Sequence, residues 1–199
     1  MRFTLRDLVY IGVFGAIWGA VEATLGALLH VLRVPFTGLV LAAAGVTIAL
    51  IGRLFVPRPG SVAAIGLVTA LLKGFSLGGF VFNPMIAIIA ESLIVELVVL
   101  TLGARRPAFV IAGGLALLWP VVHPLVTQTL LAGRAILAVY LQTLESVMNM
   151  LGVGPEALAW ALAAYAAVHV AAGMAAGRLA WEAGQAAARR VGRGEGQDG

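Results

Sequence analysis

The sequence predicts an all-α, polytopic membrane protein: a six-transmembrane-helix bundle with both termini cytoplasmic and an extra amphipathic segment between the fifth and sixth helices. Hydrophobic residues make up 61% of the 199 residues and charged residues 11%, and the mean hydropathy is +1.03. Apolar runs recur from Leu8 to Trp181, and short joints that carry Pro, Gly or Arg separate them. Because a transmembrane helix needs about 20 apolar residues, the chain has room for about six crossings and for no additional soluble domain.

The six predicted helices are 8–29, 36–55, 61–79, 83–103, 107–132 and 155–182. The Pro-rich joint 56–60 ends the second helix, because proline lacks a backbone donor and restricts the residue before it. Joint 103–107 ends the fourth helix in the same way. Between them, Gly78-Gly79 leads to Asn83-Pro84, where proline is well placed at a helix start. We expect 1–182 to form one transmembrane bundle and 183–199, rich in Ala, Gly and Arg, to be a disordered cytoplasmic tail.

The distribution of basic residues predicts the orientation. The larger group lies before the first helix, at the 2–3 and 4–5 joints and at the end of the sixth helix: Arg2, Arg6, Arg53, Arg58, Arg105, Arg106, Arg178, Arg189, Arg190 and Arg193. The other side carries Arg33, Lys73 and Arg134. The positive-inside rule therefore places both termini in the cytoplasm of a cell with the protein in its inner membrane, and an even number of crossings agrees.

Residues 133–152 predict a different kind of helix. Apolar side chains from Leu137 to Leu151 recur at helical spacing, while Gln142 and Glu145 mark a polar face. This amphipathicity favours an interfacial helix on the outer side. A seventh crossing would place the arginine-rich C-terminus outside the cell, so we reject it.

Small residues four apart line one face of two predicted helices. In the first helix, Ala16 and Ala20 overlap a similar series of Gly12, Gly15 and Gly19. The sixth helix repeats the spacing with Ala159, Ala163, Ala167, Ala171 and Ala175. Such faces let two helix backbones approach closely, either inside the bundle or against a partner protein.

Polar and aromatic residues at membrane depth predict a binding site. Charged groups inside a bilayer are costly and usually face a cavity or a partner. The candidate substrate-binding residues converge on the outer half of the bundle: Glu22, Lys73, Asn83, Glu91, Trp119, His123, Gln128 and Trp160. Mostly apolar walls with a few placed polar groups are typical of a small-molecule site.

Structural roles for the charged residues stay open beside this hypothesis. Glu22 or Glu91 is also suited to a simple ion pair with Lys73, and that lysine to snorkelling toward the headgroups. His123 precedes Pro124 and is suited to satisfying a carbonyl that the proline leaves without a donor.

The aromatic and deeper polar residues also have structural alternatives. Trp119 and Trp160 fit an interfacial aromatic belt. Glu96 and His169 lie deeper than the other candidates, and we predict a structural pair.

Several function classes lack their residues. The chain has no cysteine, and its three histidines lie on different segments, which disfavours a metal site. No Walker A, HExxH or GxSxG sequence occurs. We therefore expect no enzymatic activity, no cofactor, no nucleic-acid binding and no ATPase within the chain itself.

These features resemble the substrate-binding (S) component of an energy-coupling factor (ECF) transporter. The resemblance covers the whole chain as architecture, and its most specific parts are Ala16 and Ala20 and the stretch from Arg58-Pro59-Gly60 to Glu91, which is similar to S components for thiamine precursors. It implies that the two alanines dock on a transmembrane coupling (T) subunit driven by two cytoplasmic ATPases. It also implies an outer vitamin site covered by residues 30–37 and 133–154.

The charges indicate the class of ligand. Two carboxylates, Glu22 and Glu91, against one Lys73 favour a neutral or cationic molecule with hydrogen-bond donors. Thiamine or its hydroxymethylpyrimidine precursor fits best, because aminopyrimidines pair with carboxylates and a tryptophan can stack on a flat ring. Biotin, riboflavin, a queuosine precursor and a metal ion stay open. The rival functions are an autonomous proton-coupled transporter or channel and a membrane assembly protein.

Overall fold

The computed structural model describes residues 3–75, 82–133 and 135–195. Arg2, Arg134 and the Gly78-Gly79 joint lie outside these ranges. Within them, all regular secondary structure is helical, which confirms the predicted class. The helices are α1 (Leu5–Val31), α2 (Thr37–Phe55), α3 (Ser61–Gly74), α4 (Phe82–Leu102), α5 (Arg106–Ala116), α6 (Trp119–Ala132), α7 (Ala135–Leu151) and α8 (Pro155–Glu195).

Four of the described helices, α1, α2, α4 and α8, are long and apolar enough to cross a membrane. α5 and α6 pass the same test only as a pair, with a bend of 42° between them. α3 has 14 described residues, which correspond to about 21 Å at 1.5 Å per residue. The composition is that of a membrane protein, and the number of crossings stays a prediction.

α1 begins three residues before the predicted start because of a capping box. The Thr4 hydroxyl accepts a hydrogen bond from the Asp7 amide at 3.2 Å, and the Asp7 carboxylate accepts one from the Thr4 amide at 2.7 Å. Two donors at the helix start are thereby satisfied reciprocally. Asp7 also pairs with Arg58 at 2.6 Å, so the start of α1 is tied to the α2–α3 joint.

The predicted fifth helix, 107–132, is two helices in the structure. α5 ends at Ala116 and α6 begins at Trp119. Pro120 stands in the first turn of α6 and Pro124 lies inside it. Proline cannot donate to the carbonyl four residues earlier, so Pro120 prevents a continuous ladder across Ala116.

The C-terminal segment that the sequence predicts to be disordered is helical where the structure describes it. α8 continues past residue 182 to Glu195. Ala, Arg, Gln and Glu in this stretch are good helix formers. Gly184 is buried, and a Cβ there would meet the Leu54 side chain and the Cα of Ile51, so this part of α8 packs on the end of α2. Residues 196–199 lie outside the described ranges.

α2 is central in the bundle and contacts α1, α3, α4, α5 and α8. The most extensive contact joins α5 to α8. The core between the helices is made of large side chains with at most 1% exposure, Trp18, Val46, Leu50, Ile65, Val95, Phe109 and Leu117. Trp18 fits because α2 has Gly45 opposite the indole, where any Cβ would overlap the ring.

Candidate functional site

Lys73 and Glu22 form a buried ion pair between α3 and α1. The ammonium lies 3.4 Å from the Glu22 carboxylate and donates a hydrogen bond to the Glu22 backbone carbonyl at 3.1 Å. The two side chains are 17% and 9% exposed. The helices approach here because Gly15 and Gly19 of α1 face α3.

Glu91 of α4 lies beside this pair. It is 5% exposed, and the Glu22 carboxyl is close enough to interact with it electrostatically. Among the residues that the structure describes, no group donates a hydrogen bond to its carboxyl. The three ionisable groups from α1, α3 and α4 thus form one cluster, in which the Lys73 ammonium pairs with Glu22. We call Glu22, Lys73 and Glu91 the acidic cluster.

A second group of polar atoms lies on α6. The Trp119 and His123 rings are 5.5 Å apart, and the Thr127 hydroxyl donates to the His123 carbonyl at 2.7 Å. The His123 ring faces the backbone of Asn83 at the start of α4. Trp119 Nε1 and His123 Nδ1 are buried without a hydrogen-bond partner in the described part of the chain. A buried donor without a partner is costly, so such atoms are where a ligand gains most.

The two groups lie at different depths. Asn83, which faces His123, precedes Glu91 by eight residues on α4, or about 12 Å along the helix. The acidic cluster and the Trp119–His123 group are therefore about two helical turns apart along α4.

Three candidate residues lie apart from these groups. Trp160 is 76% exposed, and its segment of α8, residues 155–168, has no buried residue. Gln128 and the side chain of Asn83 are exposed as well. The sequence places all three at a similar depth, but only the structure shows that their side chains do not face the acidic cluster.

The two small-residue series of α1 face different directions. Gly15 and Gly19 pack on Val68 and Leu72 of α3. Ala16 and Ala20, the predicted docking residues, are exposed. Exposed Val13 and Ile17 continue this face, so it is available to lipid or to a partner protein.

The alanine series of α8 does not pack inside the bundle. Its members are all exposed: Ala159, Ala163, Ala167, Ala171 and Ala175. The close contact is made instead by Gly173 and Gly177, against the backbone of α5 at Gly113 and Phe109. Gly173 and Gly177 are each two residues from Ala175, about 200° around the helix, so they lie on the opposite side of α8 from that alanine.

The predicted covers differ in their contacts. In the segment 30–37, Phe36 stacks on Tyr165 of α8 with ring centroids 6.0 Å apart. α7, the helix in the segment 133–154, contacts α6, and no residue within Ala135–Leu151 is buried. The first segment is thus anchored to α8, whereas α7 lies on the periphery beside α6.

Glu96 and His169 do not form the predicted pair. Glu96 accepts hydrogen bonds from the amides of Gly60 and Val62, both at 2.8 Å, and so caps the start of α3. The His169 ring bonds to the carbonyl of Tyr165 at 2.9 Å. The capping role was missed because Glu96 is 34 residues from Val62 along the chain. Thr127 was missed too, although it lies one turn after His123 on the same face.

Comparisons with known proteins provide no homologous site with which this one can be compared. No protein-family model matches the chain, and neither does any curated protein or solved structure.

Proposed function

We propose that the protein is the substrate-binding subunit of an ATP-driven, ECF-type micronutrient importer, and that it captures thiamine or hydroxymethylpyrimidine from outside the cell. One observation carries the proposal. A small apolar bundle holds Glu91, without a hydrogen bond from any described residue, beside the Glu22–Lys73 pair. Burying an excess carboxylate is unfavourable unless a ligand or a proton completes the site.

The proposal includes six crossings with both termini in the cytoplasm. It is supported by contacts that bring the arginine-bearing ends together: Asp7 with Arg58 at 2.6 Å, and Arg106 with Glu182 at 3.0 Å. α5 and α6 would form one bent crossing, and α3 would form another. The excess of arginine at this end favours the cytoplasmic side in a cell membrane.

The ligand would lie between the acidic cluster and the Trp119–His123 group. A protonated or amino-substituted pyrimidine would donate to Glu91, and the unpartnered nitrogens of Trp119 and His123 would bind its polar substituents. Trp119 would also stack on a flat ring. Gln128 and Trp160 would take part only after a rearrangement of α6 or α8, so we give them no role in the bound state.

The exposed face at Ala16 and Ala20 would dock on the T subunit, which two cytoplasmic ATPases drive. Its support is the separation of the two series on α1, since Gly15 and Gly19 already serve the internal contact with α3. Small side chains on the outer face would let the partner helix approach closely.

The test is to purify the protein from cells grown in rich medium, identify any retained small molecule by native mass spectrometry, and titrate thiamine and hydroxymethylpyrimidine by calorimetry. Glu91→Gln should weaken binding by about 1–3 kcal/mol, the effect of a lost charged hydrogen bond. Glu156→Gln is the matched control, because Glu156 is exposed in the first turn of α8. Equal affinities of the two variants would remove Glu91 from the site.

A proton-coupled transporter is the second candidate, because Glu22 and Glu91 are carboxyl groups buried among apolar helices, and such groups often form proton relays in membrane proteins. Reconstitution separates the candidates. The importer subunit alone should give no uptake into proteoliposomes under an inward proton gradient, and uptake should require the T subunit, the ATPases and ATP. Gradient-driven uptake by the protein alone would establish the second candidate.

A further inference from the structure

The exposed surface of α5 and α8 carries a groove that is separate from the proposed vitamin site. It has a volume of 620 Å³, and its lining is Arg106, Pro107, Val110, Ile111, Met174, Ala175 and Arg178. We call this surface the α5–α8 groove. We propose that it is a binding site for an anionic phospholipid, with the phosphate at the two arginines and an acyl chain along the apolar wall.

The charges of the groove favour an anion. Arg106 and Arg178 both donate at 3.0 Å to the same oxygen of Glu182. Each guanidinium has five N–H donors, more than one carboxylate oxygen accepts, and two cations share one anion. The three side chains are 51%, 64% and 52% exposed, so a phosphate can reach the arginines.

The polarity of the groove changes along its length. Arg106 starts α5, and Ile111 follows five residues later, about 8 Å along the axis. On the antiparallel α8, Met174 precedes Arg178 by four residues, which gives about 6 Å in the same direction. Both walls therefore run from a cationic end to an apolar end.

This order of cationic and apolar surface matches a phospholipid better than a soluble anion. Basic pockets between helices at the membrane boundary bind anionic headgroups. Val110, Ile111 and Met174 would have no role in binding a free phosphate, whereas an acyl chain covers them. Ile111 and Met174 are 44% and 45% exposed, so the wall is open to lipid. The inference does not depend on the proposed vitamin or on the T subunit.

The experiment measures phosphatidylglycerol retained by the full chain in native mass spectrometry, after exchange into detergent with equal phosphatidylglycerol and phosphatidylcholine. The wild type should retain the anionic lipid selectively. The double variant Arg106→Gln/Arg178→Gln should lose about tenfold in occupancy, because both charged hydrogen bonds to the phosphate are removed. Arg189→Gln/Arg190→Gln makes the same change of charge at two exposed residues farther along α8 and should retain the lipid.

Two further variants separate lipid binding from misfolding and from simple attraction of charge. Glu182→Gln removes the competing carboxylate and should increase retention, an effect that loss of folding does not produce. Ala175→Trp fills the groove and should reduce retention, whereas Ala171→Trp, one turn away and outside the lining, should not. Equal loss in the two arginine pairs, or no change with Glu182→Gln and Ala175→Trp, would overturn the proposal.

The source of the phosphate is tested by competition. Inorganic phosphate at a large excess should leave phosphatidylglycerol bound, because it gains nothing from the apolar wall. If it displaces the lipid at comparable concentration, the site takes a free phosphate and the lipid assignment is wrong.

Discussion

The carbonyl of Gly173 lies against Gly113 so closely that a Cβ on Gly113 would overlap it. α5 and α8 therefore meet backbone to backbone. Gly177 repeats the contact one turn later against the carbonyl of Phe109. Such small-residue contacts replace the hydrophobic effect as the source of helix association in a membrane. The most extensive helix contact, between α5 and α8, thus depends on glycines, which have no side chain.

Gly113→Ala should destabilise the protein, because the obstacle is backbone and has no flexible end to move. We expect a loss of about 1–3 kcal/mol in the free energy of unfolding, the range of overpacked cores. Thermal unfolding in detergent measures it. Gly12→Ala is the control, since a Cβ at Gly12 has no atom within 4 Å and alanine favours the helix. Equal unfolding temperatures of both variants would contradict the described contact.

Neighbouring positions on α1 should respond in opposite ways. Gly15→Leu should destabilise the fold, because even a Cβ there lies 2.6 Å from Val68 Cγ1. Ala16→Leu should leave stability within about 0.5 kcal/mol, as exposed substitutions do. Thermal unfolding of the free protein tests both. Assembly with the T subunit, measured by copurification, should fail for Ala16→Leu although that variant folds; intact assembly would contradict the docking role.

Lys73→Met should be strongly destabilising, because it leaves Glu22 and Glu91 buried together without a cation. Removal of one partner of a buried ion pair costs about 3–5 kcal/mol. The double variant Lys73→Met/Glu22→Gln should recover most of this loss, since one carboxyl is then neutral. Chemical unfolding in mixed micelles gives both values. Additive losses in the double variant would mean that the two side chains do not interact.

Glu96→Gln should weaken the start of α3. The Glu96 carboxylate accepts hydrogen bonds from the backbone amides of Gly60, Val62 and Ala63. In the glutamine variant, an NH₂ donor replaces one of the two acceptor oxygens and faces these N–H donors. We expect a loss of about 1–3 kcal/mol and earlier hydrogen exchange at these amides. Glu145→Gln, on exposed α7, should change neither quantity. Unchanged exchange at Val62 would show that the cap is not formed in the membrane.

The helical class and the helix joints were predictable because they depend on local composition. Apolar runs, and Pro or Gly at 56–60 and 103–107, suffice for both. The break after Ala116 was within reach of the same argument, since Pro120 and Pro124 mark it, but an unbroken apolar run from 107 to 132 masked it. The helical tail was missed because its composition resembles a disordered segment and its packing on Ile51 and Leu54 is not local.

The position of the candidate residues along their helices was predictable from the sequence, whereas the direction in which each side chain faces was not. Counting residues from helix ends places Glu22, Lys73 and Glu91 at a similar level, and the structure brings these three together. Trp160 has the same predicted depth and faces outward. The rotation of α8 is decided by Gly173 and Gly177, and the sequence offered a longer alanine series at the same spacing. Only three-dimensional packing distinguishes the two.

The position of α8 also has a consequence for biogenesis. α8 covers both α2 and α5, yet it is the last of the described helices to leave the ribosome. Until it inserts, the glycine surface of α5 and one side of the central helix stay open to lipid. The bundle is therefore incomplete along that side until α8 has inserted. A chain that stops before residue 155 would leave that side uncovered, because no α8 would be present to pack on α2 and α5.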